Sequence, residues 1–376
     1  MIRLALIGTG TMGTNYLKYI AEGSVPSVTA AAAVSRRPEK QQEIRELFHD
    51  SIAVFESEEE LYAHPECFDA VLVATPHSLH AEMGMRALRA GTHLMLDKPA
   101  GVCTAECRPL ADLADDAGLK FSVMFHQRMF PKFRRVKELL EHREIGDITR
   151  VLMKNSRYFR TEHYHRSSPW RSSWNGESGG LMINQAQHLI DMWQWLFGMP
   201  ETLYADICFG KYNDFSVDDE VTIVMDYPDR KTGVFLASTG EGTGSDLLEI
   251  TGSLGTIVLE DQTLTITRYD QDLNDYRKNA ECNSRERLRE TVVTEQLEEN
   301  TKTHPLLLEN FARAVEGKEP LVVEGRNAVN ALELTNAAYL SAWNHEVIGF
   351  PIDEQRYVKE LLEHQNAERE AGKYPR

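Results

Sequence analysis

The sequence predicts an α/β protein: an N-terminal Rossmann-type, doubly wound parallel sheet, then an α+β part built on a large, mostly antiparallel open sheet. Three observations carry this expectation. A short apolar run at residues 2–7 leads into Gly8-Thr9-Gly10-Thr11-Met12-Gly13 and then into a helical pattern. Apolar strands and amphipathic helices alternate from there to about residue 125. Beyond residue 151 the alternation gives way to short period-two segments separated by turn residues. The expected division is a nucleotide-binding domain over 1–125 and a substrate-binding and oligomerisation domain over 126–376, and 376 residues suffice for two cores.

Taken in order, the run 2–7 reads as the first strand. Gly8 suits the tight turn after it, Gly10 lets a pyrophosphate approach the backbone, and Gly13 lets helix and strand pack closely. Thr9, Thr11 and Met12 complete the loop, and the following helix start offers N–H groups to phosphate. A second strand is predicted at 28–34. A dinucleotide site that prefers the unphosphorylated ribose carries an acid at this strand's end. Here the chain reads Ser35-Arg36-Arg37. An arginine pairs with a 2′-phosphate that a carboxylate would repel, so NADP(H) is favoured over NAD(H), with Ser35 and Arg36 discriminating.

Strands are predicted at 51–54, 70–73, 92–96 and 121–125, with helices at 38–48, 79–89 and 104–117 between them. Ligands of such sheets sit at the carboxyl ends of the strands. The loops there are Ala74-Thr75-Pro76-His77, Asp97-Lys98-Pro99 and His126-Gln127-Arg128. Lys98 follows a buried-looking strand, which delivers its ammonium to the cofactor edge. An ammonium there can stabilise a developing alkoxide. His77 and His80 read as packing or cofactor-side groups.

A long strand is predicted at 149–159. After it comes a loop rich in aromatic and basic residues, including Arg160, His163, Tyr164, Trp170 and Arg171. Ring faces and guanidinium donors suit a polyhydroxylated ligand. Gly179-Gly180 reads as a place where backbone approaches a ligand. A helix is predicted from 181 to 197, stopped by Gly198. It would set Asn184, His188 and Asp191 on one face at i, i+4 and i+7. Six short strands are expected between 202 and 268, a polar loop or exposed strand pair at 269–302, and helices at 305–315 and 327–343. The charged tail after 358 reads as a surface helix that frays.

Composition narrows the function. A net charge of −17, from 41 basic and 58 acidic residues, argues against nucleic acid or an anionic membrane surface as partner. The five cysteines are scattered without a zinc-type pair, so free thiols in the cytoplasm and no metal site are expected. No apolar run approaches the ~20 residues of a bilayer span.

Several motifs line up in order: Gly8-Thr9-Gly10-Thr11-Met12-Gly13, Ala74-Thr75-Pro76 with His80, Asp97-Lys98-Pro99, Gly179-Gly180 with Asn184, His188 and Asp191, and Gly252-Ser253-Leu254-Gly255-Thr256. Over nearly its whole length the chain thereby resembles the Gfo/Idh/MocA oxidoreductases, named for glucose–fructose oxidoreductase and inositol dehydrogenase. The resemblance implies NAD(P)-dependent hydride transfer at a secondary alcohol of a sugar or cyclitol, by a homodimer or homotetramer formed through the C-terminal sheet. It implies Lys98 and His188 as the catalytic pair. Asn184 stands where the family often has Asp, and an amide orients a hydroxyl without carrying its proton. Thr75, Pro76, His80, Asp97 and Arg128 are expected beside the cofactor, and Tyr164, Trp170, Arg171, Gln185 and Asn184 beside the substrate. Two alternatives share the fold: a glycosidase that uses its nicotinamide transiently, and a non-catalytic nucleotide or sugar sensor.

Overall fold

The structure is a computed structural model that describes residues 1–373. Its first half runs β1 (Ile2–Ile7), α1 (Thr11–Ala21), β2 (Val28–Val34), α2 (Pro38–Leu47), β3 (Ala53–Phe55), α3 (Glu58–Tyr62), β4 (Ala70–Val73), α4 (His80–Arg89), β5 (His93–Leu96), α5 (Thr104–Ala117) and β6 (Phe121–Val123). Then come α6 (Pro131–Glu141), β7 (Ile148–Asn155), α7 (Glu162–Arg166), α8 (Gln187–Phe197), β8 (Thr202–Phe209), β9 (Asp218–Asp226), β10 (Thr232–Ser238), β11 (Asp246–Gly252), β12 (Gly255–Glu260) and β13 (Thr263–Tyr269). The chain closes with α9 (Leu273–Asn279), β14 (Glu290–Gln296), α10 (Thr303–Val315), α11 (Gly325–Asn344), β15 (Ile348–Gly349) and α12 (Glu354–Glu370). No helix among the described residues is long and apolar enough to cross a membrane.

Two compact units result. Residues 1–129, 301–333 and 354–359 form one, and 130–300, 334–353 and 360–373 the other, so the chain returns to its first unit twice, after β14 and again after β15.

The first unit holds six parallel strands in the order β3-β2-β1-β4-β5-β6. Strand order reverses between β1 and β4, the point at which such sheets bind ligands. The strands are near-continuous apolar runs because helices cover both faces; all four residues of β4 are fully buried. Arg3 is the exposed exception in β1, and its guanidinium pairs with Asp69 at 2.7 Å.

The second unit is organised on nine strands, ordered β14-β13-β12-β11-β7-β10-β9-β8-β15. All pairs are antiparallel except β7 with β10. Alternation along these strands buries one face, with Val151, Met153, Phe235, Ile223, Ile250 and Ile257 inside. Helix α8 carries Trp193, fully buried, whose ring lies where a Cβ on Gly233 of β10 would stand, 2.3 Å away. The glycine there is the condition for helix and sheet to touch.

Three expectations need correction. The helix before Gly198 begins at Gln187 and not at 181, since residues 181–186 are turns. The segment 269–302 holds a helix as well as a strand, α9 and β14. The tail is not merely a surface helix: Tyr357, Leu361 and Glu368 of α12 are buried. Glu368 accepts bonds from the backbone N–H groups of Trp174 and Asn175 at 3.1 and 2.9 Å and from Ser216 Oγ at 2.6 Å.

Within the first unit, α10 is fastened through two histidines. His126, just past β6, stacks on His304 with ring centroids 3.6 Å apart, and its Nδ1 bonds Thr303 Oγ1 at 2.8 Å. Burial, then the His304 and Lys98 charges, push the His126 pKa down to about 3. Burial likewise lowers His304, with Asp97 opposing and Lys98 adding. Both rings are therefore neutral in the folded protein at neutral pH. As pH falls below the unfolded value of ~6.5, the unfolded chain takes up protons that the folded chain refuses down to about 3. This contribution to stability is complete above pH ~6.5 and is lost on acidification. The urea midpoint should therefore fall between about pH 7 and about pH 4, and His126→Asn should flatten that slope. Parallel slopes for the two proteins would contradict the account.

Candidate active site

The glycine loop follows directly from β1. Gly8 has φ +99°, and a Cβ on it would lie 2.6 Å from the Ala74 carbonyl oxygen. A Cβ on Gly13 would lie 1.9 Å from the Gly8 carbonyl oxygen. Those two glycines are required by the protein's own packing. Gly10 differs: its φ is ordinary, and a Cβ there would meet nothing within 4 Å. Helix α1 starts at this point with no side-chain cap and no acid in its first turn. Open space, bare backbone and a helix N-terminus fit a dinucleotide pyrophosphate.

At the end of β2, Ser35 is buried and its hydroxyl pairs with Thr9 Oγ1 at 2.8 Å. Gln41 Nε2 donates to the Ser35 carbonyl at 2.8 Å. Arg37, and not Arg36, reaches the glycine loop, its Nη2 donating to the Thr9 carbonyl at 2.8 Å. Arg36 is exposed, and its charge is felt at Glu58.

The loops after β4 and β5 are joined by one ring. His80 is fully buried, with Nδ1 2.7 Å from the Pro99 carbonyl oxygen and Nε2 2.8 Å from that of Thr75. The Lys98–Pro99 bond is cis. Asp97 and Lys98 are half-buried at the tip of β5. The Asp97 carboxylate accepts from the Lys98 N–H at 2.9 Å and from the Tyr16 hydroxyl at 3.1 Å. Burial and that carboxylate hold the Tyr16 phenol well above its usual range. Arg128 is buried; it donates to the Val322 carbonyl at 3.2 Å and to Asn327 Oδ1 at 2.7 Å.

In the second unit, Asp218 determines how the segment before α8 runs. Its carboxylate is buried and accepts from the N–H groups of Gly180 (2.7 Å) and Met182 (2.6 Å) and from the Tyr339 hydroxyl (2.7 Å). Burial raises its pKa, and these three donors oppose the rise. The Leu181 N–H bonds the Asp218 carbonyl at 3.0 Å. Residues 181–186 turn against β9, and the α-helix starts only at Gln187. Gly179 and Gly180 are needed for this contact and not for a ligand: added Cβ atoms would lie 2.2 Å from Tyr339 Oη and 2.3 Å from the Asp218 carbonyl oxygen.

From Gly179 to Ile190 every residue is buried except Gln185 and His188. Asn184 is buried and its Nδ2 donates to Glu177 Oε2 at 2.9 Å. A carboxylate only accepts, so the bond assigns the amide and leaves Oδ1 as its acceptor side. Glu177 is held in turn by the Ser172 N–H at 2.6 Å. Asp191 is buried and accepts from Gln194 Nε2 at 2.9 Å.

The loop residues expected at the substrate do come together. Arg171 Nη1 donates to the Tyr164 hydroxyl at 2.7 Å, and Gln185 Nε2 donates to the same oxygen at 3.2 Å. The Arg171 guanidinium carbon is 4.5 Å from the ring centroids of both Tyr164 and Trp170. Sequence reading missed Glu177, Asp218, Tyr339, His304, Tyr16 and Glu368. Only the acidic pair Asp218-Asp219, at the start of a strand, offered a local signal.

Comparison with known proteins bears on the family and the fold. Residues 2–125 match the family model described as an oxidoreductase family with an NAD-binding Rossmann fold, and residues 133–258 match that of the GFO/IDH/MocA C-terminal domain. The chain is 28% identical to scyllo-inositol 2-dehydrogenase (NADP(+)) IolU of Bacillus subtilis over 69% of its own length and 76% of that protein's. Identity to the same organism's IolW, another scyllo-inositol 2-dehydrogenase (NADP(+)), is also 28%, but this alignment spans only 58% of each chain. Trans-1,2-dihydrobenzene-1,2-diol dehydrogenase of Bos taurus is 26% identical over 69% and 74%. Among solved structures, the WlbA dehydrogenase of Bordetella pertussis, in complex with NADH and UDP-GlcNAcA, superposes with a TM-score of 0.75 at 22% identity, covering 94% of this chain and 99% of that one. An Agrobacterium radiobacter oxidoreductase, in complex with NAD+, L-tartaric acid and magnesium, gives 0.76 at 18% identity over 93% and 98%. At such identities the structural likeness speaks to the fold. The two matched domains together establish that the chain belongs to the Gfo/Idh/MocA family of NAD(P)-binding oxidoreductases.

Proposed function

We propose that this protein reversibly oxidises a secondary alcohol of a sugar or cyclitol, with His188 as general base and Lys98 as the cation that stabilises the alkoxide. The observation that carries the reading is the selective exposure along the segment before and into α8. Ten residues of 179–190 are buried, and Gln185 and His188 alone in that stretch are half-buried. An imidazole is the side chain whose ordinary pKa suits proton transfer near neutrality. Asn184, fixed by Glu177, presents an acceptor that can orient a hydroxyl but cannot take its proton. Lys98 ends β5, where its ammonium lowers the cost of negative charge on the substrate oxygen. A bound nicotinamide supplies the hydride acceptor. Glycines 8, 10 and 13, Thr9, Thr11 and Met12 hold it in this reading, with Thr75, Pro76, His80, Asp97 and Arg128 along its far side. Tyr164, Trp170, Arg171 and Gln185 contact the substrate.

NADP(H) is the proposed cofactor. No acid stands at the end of β2, Ser35 and Arg36 follow it, and Arg37 lies on the glycine loop. The Bacillus relatives carry NADP(+) in their names, while the WlbA and Agrobacterium structures contain NADH and NAD+. We place the protein in the cytoplasm, where its five free cysteines would remain reduced. The open face of the large sheet, with Tyr204, Val224 and Val292 exposed, suits a homodimer or homotetramer contact.

The reading is tested by following nicotinamide reduction over a panel of sugars and inositols. His188→Ala should reduce turnover by ~10²–10⁴-fold while cofactor affinity stays unchanged. Lys98→Met should also lose turnover far in excess of any loss of cofactor binding. Undiminished turnover in the His188 variant would overturn the assignment. In a separate fluorescence titration NADPH should bind at least about tenfold tighter than NADH, as expected for one or two charged hydrogen bonds to the 2′-phosphate. Joint replacement of Arg36 and Arg37 by alanine should erase the difference, and equal affinities in the unmodified protein would reject the preference.

A further inference from the structure

The segment 157–171 is basic in an acidic protein. It contains Arg157, Arg160, Arg166 and Arg171 against the single acid Glu162. Two of these charges are neutralised: Arg157 pairs with Asp261 at 2.6 Å and Arg166 with Glu162 at 2.7 Å. Arg160 and Arg171 have no carboxylate partner among the described residues. Both guanidinium groups instead lie over the ring of Tyr164, with carbons 5.1 and 4.5 Å from its centroid. Arg160 spends one donor on the Phe159 carbonyl, and Arg171 one on the Tyr164 hydroxyl. The Nε of Arg171 is buried without any acceptor among the described residues. A buried charged donor left without an acceptor is costly unless a ligand completes it.

Resting on the oxidoreductase reading above, we infer that Arg160, Tyr164 and Arg171 form an oxyanion subsite, and that the sugar substrate carries a carboxylate or phosphate group. A planar guanidinium is suited to such groups because its donors match two oxygens at once. The subsite is tied to the chemistry by Gln185, which bonds the Tyr164 hydroxyl at 3.2 Å and lies three residues before His188. The anionic group would thus bind within a few atoms of the carbon that is oxidised. The overall charge of −17 makes a local basic pair more necessary, because the general field of the protein repels an anionic substrate.

The test is calorimetric titration of the full chain with matched neutral hexoses, hexuronates and hexose 6-phosphates. The unmodified protein should bind an anionic member at least about tenfold tighter than its neutral counterpart, with a difference that shrinks as salt is added. Arg171→Gln and Arg160→Gln should each reduce that ratio several-fold, and Arg171→Lys should retain part of it. Circular dichroism establishes that each variant is folded; with Arg160 and Arg171 tested separately, one variant stays informative if the other fails. Whether hexuronate or hexose phosphate binds tighter identifies the group. In turnover, Arg171→Gln should raise KM for the anionic substrate more than it lowers kcat. Equal binding of neutral and anionic members, no binding of any anionic member, or a preference that survives both glutamine variants would overturn the subsite. Anion-selective binding without nicotinamide reduction would reject the dehydrogenase reading and leave the subsite standing.

Discussion

The segment that presents His188 depends on one buried carboxylate. Asp218, at the start of β9, takes two successive outward N–H groups from the Gly180–Met182 stretch and the hydroxyl of Tyr339 from α11. Hydrogen bonds to an ionised acceptor each contribute ~1.5–3 kcal/mol, and an acid this deep needs several of them. Satisfying it draws the chain against β9. Gly179 and Gly180 permit the contact because a side chain at either would occupy the space of Tyr339 or of the β9 backbone. The polar residues of α8 and its approach are then sorted: Asn184 and Asp191 are buried on Glu177 and Gln194, while Gln185 and His188 are half-buried.

The stretch from Ser172 to Asn184 is held by two further acids, one local and one distant. Glu177 links the Ser172 backbone to the Asn184 amide. Glu368, from the last helix, takes the N–H groups of Trp174 and Asn175. Trp174 is itself fully buried, and its indole donates to the Ser216 carbonyl at 2.9 Å. The chain just after Arg171 is thereby pinned at Ser172, Trp174 and Asn175. Catalytic and recognition groups need such support, because small displacements of a reacting group lower the rate steeply.

Much of the fold was legible because its signals are local. Beyond the strand periods, Gly8 and Gly13 announced a close strand–helix approach through a spacing that the backbone requires. Gly198 announced the end of α8, and it does adopt φ +76°. What could not be read is what depends on distant partners. The periodicity of 181–197 is helical throughout, yet residues 181–186 form turns, and the chain there is held by Asp218, a partner far along the chain that no local pattern announces. Gly179-Gly180 looked like room for a ligand and is instead room for Tyr339. Glu368 sits in a charged tail whose composition suggests a surface, and its burial follows from two N–H groups about two hundred residues earlier, for which no local pattern exists. In the site, the arginine on the glycine loop is Arg37 and not its neighbour, a one-residue distinction that spacing alone does not resolve. The clustering of Tyr164, Trp170 and Arg171 was anticipated from residue type, since ring faces and guanidinium donors suit one kind of ligand, whereas Gln185 was pointed to only by the family resemblance.

The central claim is that hydride leaves a carbinol carbon as His188 removes the proton from its oxygen. The most direct measurement uses a substrate deuterated at that carbon and follows the label by mass spectrometry. The account predicts deuterium on the reduced nicotinamide, in proportion to ketone formed. Product that appears while the cofactor stays unlabelled and unreduced would contradict it.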